Sequence, residues 1–81
     1  MEATADELKR YEELQVFALD FARTGKTQDL KAMLQYGMPV NLCDHKGNSL
    51  IMLASYNGNF ETTVMLVDFG AEVDKKNDRG Q

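Results

Sequence analysis

The sequence predicts an all-α repeat fold: a short α-solenoid of two helix–turn–helix units joined by a hairpin loop, behind a helical N-terminal cap. Three observations predict it. Gly25, Gly37, Val40 and Gly47 recur as Gly58, Gly70, Val73 and Gly80, each pair 33 residues apart, and self-similarity at a fixed period of roughly 20–50 residues marks stacked repeats. The stretches between the glycines carry apolar side chains at helical spacing. With 43% apolar and 27% charged residues, the chain is composed like a packed domain and not a disordered one.

The elements follow in order. Thr4-Ala5-Asp6-Glu7 reads as a capping box, in which Thr4 caps the backbone and Glu7 reaches back to it. Leu8, Tyr11, Leu14, Phe17, Ala18 and Phe21 then recur at spacings of three and four. This predicts one helix over about 5–23, or two with a break near Glu13 to Gln15. The acidic residues Asp6, Glu7, Glu12 and Glu13 favour its N-terminal half through the helix dipole, and polar residues on its outward face suit the cap of a solenoid. A short helix lies between Gly25 and Gly37, containing Leu30, Ala32, Met33 and Leu34. Its counterpart between Gly58 and Gly70 contains Phe60, Val64, Met65, Leu66 and Val67. Gly37 and Gly70 fall just past these helices, where a left-handed residue closes the last turn.

Between them, Met38 to Asn48 holds Pro39 and has no helical period. It reads as an extended hairpin with Val40 inward and a turn at Asp44-His45-Lys46-Gly47. Ser49 caps the next helix, Leu50 to Tyr56, which Gly58 ends. The organisation is a cap over 1–15, a first repeat over 16–48, and over 49–81 a second repeat with the start of a third.

Charge and cysteine content exclude several classes. Nine basic against thirteen acidic residues give a net charge of −4, without the basic face that neutralises phosphates, so no nucleic-acid partner is expected. Lys75, Lys76 and Arg79 are interleaved with Glu72, Asp74 and Asp78 and read as a solvated turn. No apolar run approaches the roughly 20 residues of a membrane span, and Met1 to Asp6 does not resemble a secretory signal. Cys43 is the single cysteine, so no internal disulfide forms and a reducing, cytoplasmic setting is expected. Cys43, Asp44 and His45 are adjacent in sequence, where side chains diverge, and a metal site needs three or four converging ligands, so Cys43 reads as a half-buried loop cysteine.

Ser49-Leu50-Ile51-Met52-Leu53-Ala54-Ser55-Tyr56-Asn57-Gly58 resembles the ankyrin signature T-P-L-H-x-A-A-x-x-G. Asn59-Phe60-Glu61 is similar to its H-L-E, and Leu66 to Asp74 to its L-L-x-x-G-A-D-V-N. The first copy matches through Gly25, Met33-Leu34, Gly37, Val40-Asn41 and Asp44-x-x-Gly47, but not through its first helix. The resemblance covers roughly residues 16 to 81. Tetratricopeptide units also pair two helices but lack the Gly37-x-x-Val40-Asn41 entry to a hairpin. Three departures stand out. Met52 replaces a histidine, Leu50 replaces a helix-starting proline, and Thr62 and Thr63 replace an apolar pair. Each hydroxyl is expected to cost about 1 kcal/mol unless bonded back along its own helix.

No nucleophile, acid or base is placed with partners, and the glycines are structural punctuation and not a phosphate cradle. The resemblance implies a non-catalytic protein-binding module with no cofactor. In that family the hairpin tips and the exposed face of each first helix make the contacts. Those places hold His45, Lys46 and Asn48 at the tip, with Cys43 at its base, Tyr56 and Asn57 on the second-repeat helix, and Arg23 and Thr24 on the first. Tyr56 and Arg23 are the residue types enriched at binding hot spots. Two repeats fall short of the three or so usually needed, leaving the face of Leu53, Ala54, Met65 and Leu66 without a neighbour. The expectation is an N-terminal fragment of a longer repeat protein. The alternatives are a small protein that self-associates through its uncapped C-terminal repeat face, or an accessory subunit of an enzyme.

Overall fold

The computed structural model describes residues 5–73, with side chains described from Lys9 onward. Four helices occupy them: α1 (Ala5–Thr24), α2 (Thr27–Gln35), α3 (Leu50–Tyr56) and α4 (Phe60–Asp68). The capping box at Thr4 to Glu7, the charge cluster at 74–79 and Gly80 lie outside the described residues.

The chain reverses four times by one device. At the end of α2 the Gly37 N–H donates to the Leu34 carbonyl at 3.1 Å and the Met38 N–H to the Met33 carbonyl at 3.0 Å. This is the paired closure of a Schellman motif, and it needs a left-handed residue at its centre. Gly37 supplies it with φ 106°. Gly58 and Gly70 close α3 and α4 with the same bonds, and at Gly25 the Lys26 N–H reaches the Phe21 carbonyl at 2.9 Å. The glycines that recur at 33 residues are therefore the ones that turn the chain.

The segment between α2 and α3 is a tight hairpin. Asp44 N–H donates to the Asn48 carbonyl at 2.9 Å and Leu50 N–H to the Leu42 carbonyl at 3.2 Å, with one antiparallel bridge between Cys43 and Ser49. The Ser49 hydroxyl accepts from the Met52 N–H at 3.3 Å, the N-cap that its sequence position predicts.

Each repeat is a pair of packed helices, α1 on α2 and α3 on α4. The repeats stack so that α1 meets α3 and α2 meets α4. Ala18 and Ala22 of α1, Leu30 and Leu34 of α2, Leu50 and Ala54 of α3, and Met65 and Leu66 of α4 make the shared core. Alanines at the α1–α3 crossing let the helices approach closely, and the larger leucines fill the space beneath α4. The core sits between the repeats as much as within them.

One open alternative is resolved and two expectations are corrected. First, α1 is one continuous helix, yet the first half of its apolar stripe is not buried: Tyr11, Leu14 and Phe17 are exposed, while Ala18 and Ala22 are fully covered. The helix starts roughly three turns before the position equivalent to Leu50, so its early residues run past the end of α3. Second, Leu53, Ala54, Met65 and Leu66 are buried; hydrophobicity identified them as core, but the neighbour they face is the first repeat. Third, Thr62 does not bond back along its own helix. Its hydroxyl pairs with the Thr27 hydroxyl at 2.6 Å, buried between α4 and α2. Only Thr63 bonds backward, to the Asn59 carbonyl at 2.9 Å.

Candidate protein-binding surface

The expected contact residues fall into two groups at opposite ends of α3, separated by about 10 Å for a helix of this length. His45, Lys46 and Asn48 belong to the hairpin tip, and Asp44 builds that tip. Its carboxylate accepts from the Lys46 N–H and the Asn48 N–H, both at 2.9 Å, and from the Asn48 side-chain amide at 3.2 Å. Burial works to raise the Asp44 pKa, but the bonds from Asn48 and Lys46 and the charge of His45 outweigh it. The group is held below the ordinary carboxylate value of 3.8. Hydrogen bonds to a charged acceptor favour its ionised form, so the tip is built on a carboxylate. His45 and Lys46 stand exposed on it, and Asn48 is half-buried. Cys43 sits half-buried at its base with its thiol 3.4 Å from the Asn41 carbonyl.

The second group gathers at the C-termini of α1 and α3. Arg23 and Tyr56 occupy equivalent positions 33 residues apart, and both are exposed. Thr24 and Asn57 follow them, and each turns its side chain back onto its own helix. The Thr24 hydroxyl donates to the Asp20 carbonyl at 2.8 Å and the Asn57 amide to the Leu53 carbonyl at 2.8 Å. Tyr56 lines a groove between α3 and α4 together with Met52, Thr63, Val67 and Val73.

Two inter-repeat ties had no sequence signal beyond a polar residue near a glycine. The Asn59 amide donates to the Ala22 carbonyl at 3.0 Å and the Arg23 carbonyl at 2.8 Å, satisfying acceptors that a helix end leaves open. The Asn41 side-chain oxygen accepts from the Glu72 N–H at 2.9 Å. Together they fix the register of the second repeat on the first at both ends. Among the described residues no group of three or more His, Cys, Asp or Glu side chains could hold a metal ion, and no helix is long and apolar enough to cross a membrane.

Stacked helix pairs joined by a hairpin define a helical repeat protein. The family model described as ankyrin repeats (many copies) matches residues 18–67. The chain belongs to the ankyrin repeat family. It is 56% identical over 43 residues to an ankyrin repeat protein of Pseudomonas aeruginosa, PA3287, covering 53% of this chain and 25% of that protein. It is 33% identical over 55 residues to the ankyrin repeat protein YahD of Escherichia coli, covering 68% of this chain and 27% of that one. The chain thus spans about a quarter of the length of the curated relatives it matches. Ankyrin repeats are in general protein-interaction modules and not catalysts.

Proposed function

We propose that this chain forms the N-terminal part of a longer ankyrin array and binds another protein in the cytoplasm. The contact residues are Arg23, Thr24, His45, Lys46, Asn48, Tyr56 and Asn57. One observation supports the array reading above the others. Positions that the second repeat covers in the first repeat stand open in the second. Leu34 is 7% exposed and its equivalent Val67 is 47% exposed; Thr27 is 9% exposed and its equivalent Phe60 is 79% exposed. A third repeat stacked on α3 and α4 would cover Phe60 and Val67 as the second covers Thr27 and Leu34. The greater length of the relatives supports the same reading.

The binding surface is tested by pull-down from cell extract with the full-length protein and its Arg23→Ala and Tyr56→Ala variants. Arg and Tyr anchors typically cost more than about 1 kcal/mol on truncation, so recovery of the partner is expected to fall in both. Unchanged recovery in both variants rejects this surface. A second reading rests on the same open apolar face: without a third repeat it self-associates. Sedimentation of the 81-residue chain decides it, since a stable monomer at all concentrations removes self-association.

A further inference from the structure

The hydroxyl pair of Thr27 and Thr62 has no counterpart on the far side of the second repeat, because Phe60 stands there at the place of Thr27. The two positions are held alike. Lys26 and Asn59, which precede them, have φ −79° and −87° with ψ 71° and 77°. The Thr27 and Phe60 N–H groups donate to the Gly25 and Gly58 carbonyls at 2.9 and 3.0 Å. Phe60 therefore leaves α4 in the direction in which Thr27 leaves α2, toward the side on which a neighbouring repeat stacks. Thr27 is covered by such a neighbour, and Phe60 is open to solvent.

A concavity of about 330 Å³ adjoins Phe60, lined also by Ser55, Gly58, Asn59 and Thr63. Its counterpart in the first repeat is filled by two side chains of the second. The Asn59 oxygen lies 3.0 Å from the point where a Cβ on Gly25 would sit, whereas above Gly58 nothing among the described residues lies within 4 Å. The Thr62 hydroxyl meets that of Thr27 at 2.6 Å. By the 33-residue offset, the same two positions of a following repeat enter the concavity at Phe60.

The chemistry awaiting them differs from that of the first repeat. A hydroxyl arriving at the place of Thr62 meets an aromatic ring, which offers it no acceptor oxygen. Of the polar side chains around it, the Asn59 amide is committed to the Ala22 and Arg23 carbonyls, and the Thr63 hydroxyl donates to the Asn59 carbonyl. Ser55 lies at the place of Ala22, which meets Asn59 and not Thr62. A buried hydroxyl without a partner carries its full desolvation cost, whereas an aliphatic side chain of the same shape gains from the contact.

We infer that the open face of the second repeat takes a following repeat of the same protein with an aliphatic side chain, and not a hydroxyl, at the place of Thr62. This rests on the array reading proposed above and adds a rule of succession to it. Thr27 selects a neighbour that brings a hydroxyl and Phe60 one that brings none, so the second repeat follows the first but does not follow itself. A second copy of the chain stacked in the same register would bring Asp29 to that place, setting a desolvated carboxylate against the ring.

The test extends the chain past Gln81 with a further copy of residues 49–81, either unchanged or with Thr62→Val made in the added copy alone. Threonine and valine have nearly the same shape, so the comparison isolates the hydroxyl. In urea unfolding, the chain with valine is expected to have an unfolding constant about tenfold smaller than the chain with threonine. Phe60→Thr in the original repeat should reverse that order, because it restores the hydroxyl pair to the threonine copy. Amide exchange at Val67 reports whether the added copy stacks. Slower exchange there combined with equal stability of the two copies, or with the same preference in both backgrounds, overturns the pairing rule and leaves the array reading standing. No slowing in any extended chain overturns both.

Discussion

Leu34 and Val67 occupy one position in successive repeats, on helices closed by the same glycine motif, yet one is sealed and the other is nearly half exposed. Thr27 and Phe60 repeat the contrast, as do Ala22 and Ser55. Since the backbone is the same, the difference is the presence of a neighbour. A repeat protein stores much of its stability in such interfaces and less in the units themselves, and the two copies here show one interface made and one not.

Substitutions at equivalent sites sharpen this contrast or break it. The largest effect is expected at the closed interface. Leu34→Ala removes a buried side chain and should lower the unfolding free energy by about 2–5 kcal/mol. Val67→Ala, on the open face, should stay within about 1 kcal/mol. Urea unfolding of both variants measures the difference. Equal losses would mean that the second repeat's face is as buried as the first's, and the contrast would collapse.

The hydroxyl pair between α2 and α4 comes next. Thr62→Val leaves the buried Thr27 hydroxyl without its partner and should cost about 1–3 kcal/mol, whereas replacing both hydroxyls by apolar groups of like shape is nearly neutral. The double variant Thr27→Val/Thr62→Val should therefore recover most of the loss. If the double variant instead loses the sum of the two single changes, the pair is not a coupled contact.

The smallest difference lies at two glycines. Gly25 and Gly58 have φ 78° and 72°, so alanine at either site carries the left-handed penalty of about 1–2 kcal/mol. At Gly58 an added Cβ meets nothing, but at Gly25 it would sit 3.0 Å from the Asn59 side-chain oxygen. Displacing Asn59 forfeits its bonds to the Ala22 and Arg23 carbonyls, so Gly25→Ala should cost about 1 kcal/mol more than Gly58→Ala. Thermal or urea midpoints that coincide for the two would show that the Asn59 tie contributes nothing.

These pairs also explain what could be read from the sequence. The turns were legible because left-handed backbone geometry leaves glycine as nearly the only choice, and Ser49 was legible because capping depends on local chemistry. The family followed from the motif around Ser49 to Gly58. Which face of each helix would be covered was not legible. Leu53 and Val67 are both apolar, and only the placement of the other repeat decides which one is sealed. The Thr27–Thr62 bond spans 35 residues, out of step with the repeat, so no periodicity exposes it. The proposed contact residues were drawn from hairpin and helix-end positions, which the structure leaves at the surface. The cleft between Tyr11 and Leu14 of α1 and Met33, Tyr36 and Met38 at the end of α2 was not legible, because its residues lie in separate segments that only the packing of α1 on α2 brings together.

The unequal ends of the stack have a consequence for how the molecule comes into being. Chains are made from the N-terminus, and units fold as they emerge. Asp20 and Asp29 are exposed where their equivalents Leu53 and Thr62 are buried, while Phe60 and Val67 are exposed where Thr27 and Leu34 are buried. Under the array reading proposed above, each later repeat would emerge against a surface that is already folded, so the stack grows by templating on its last helix pair.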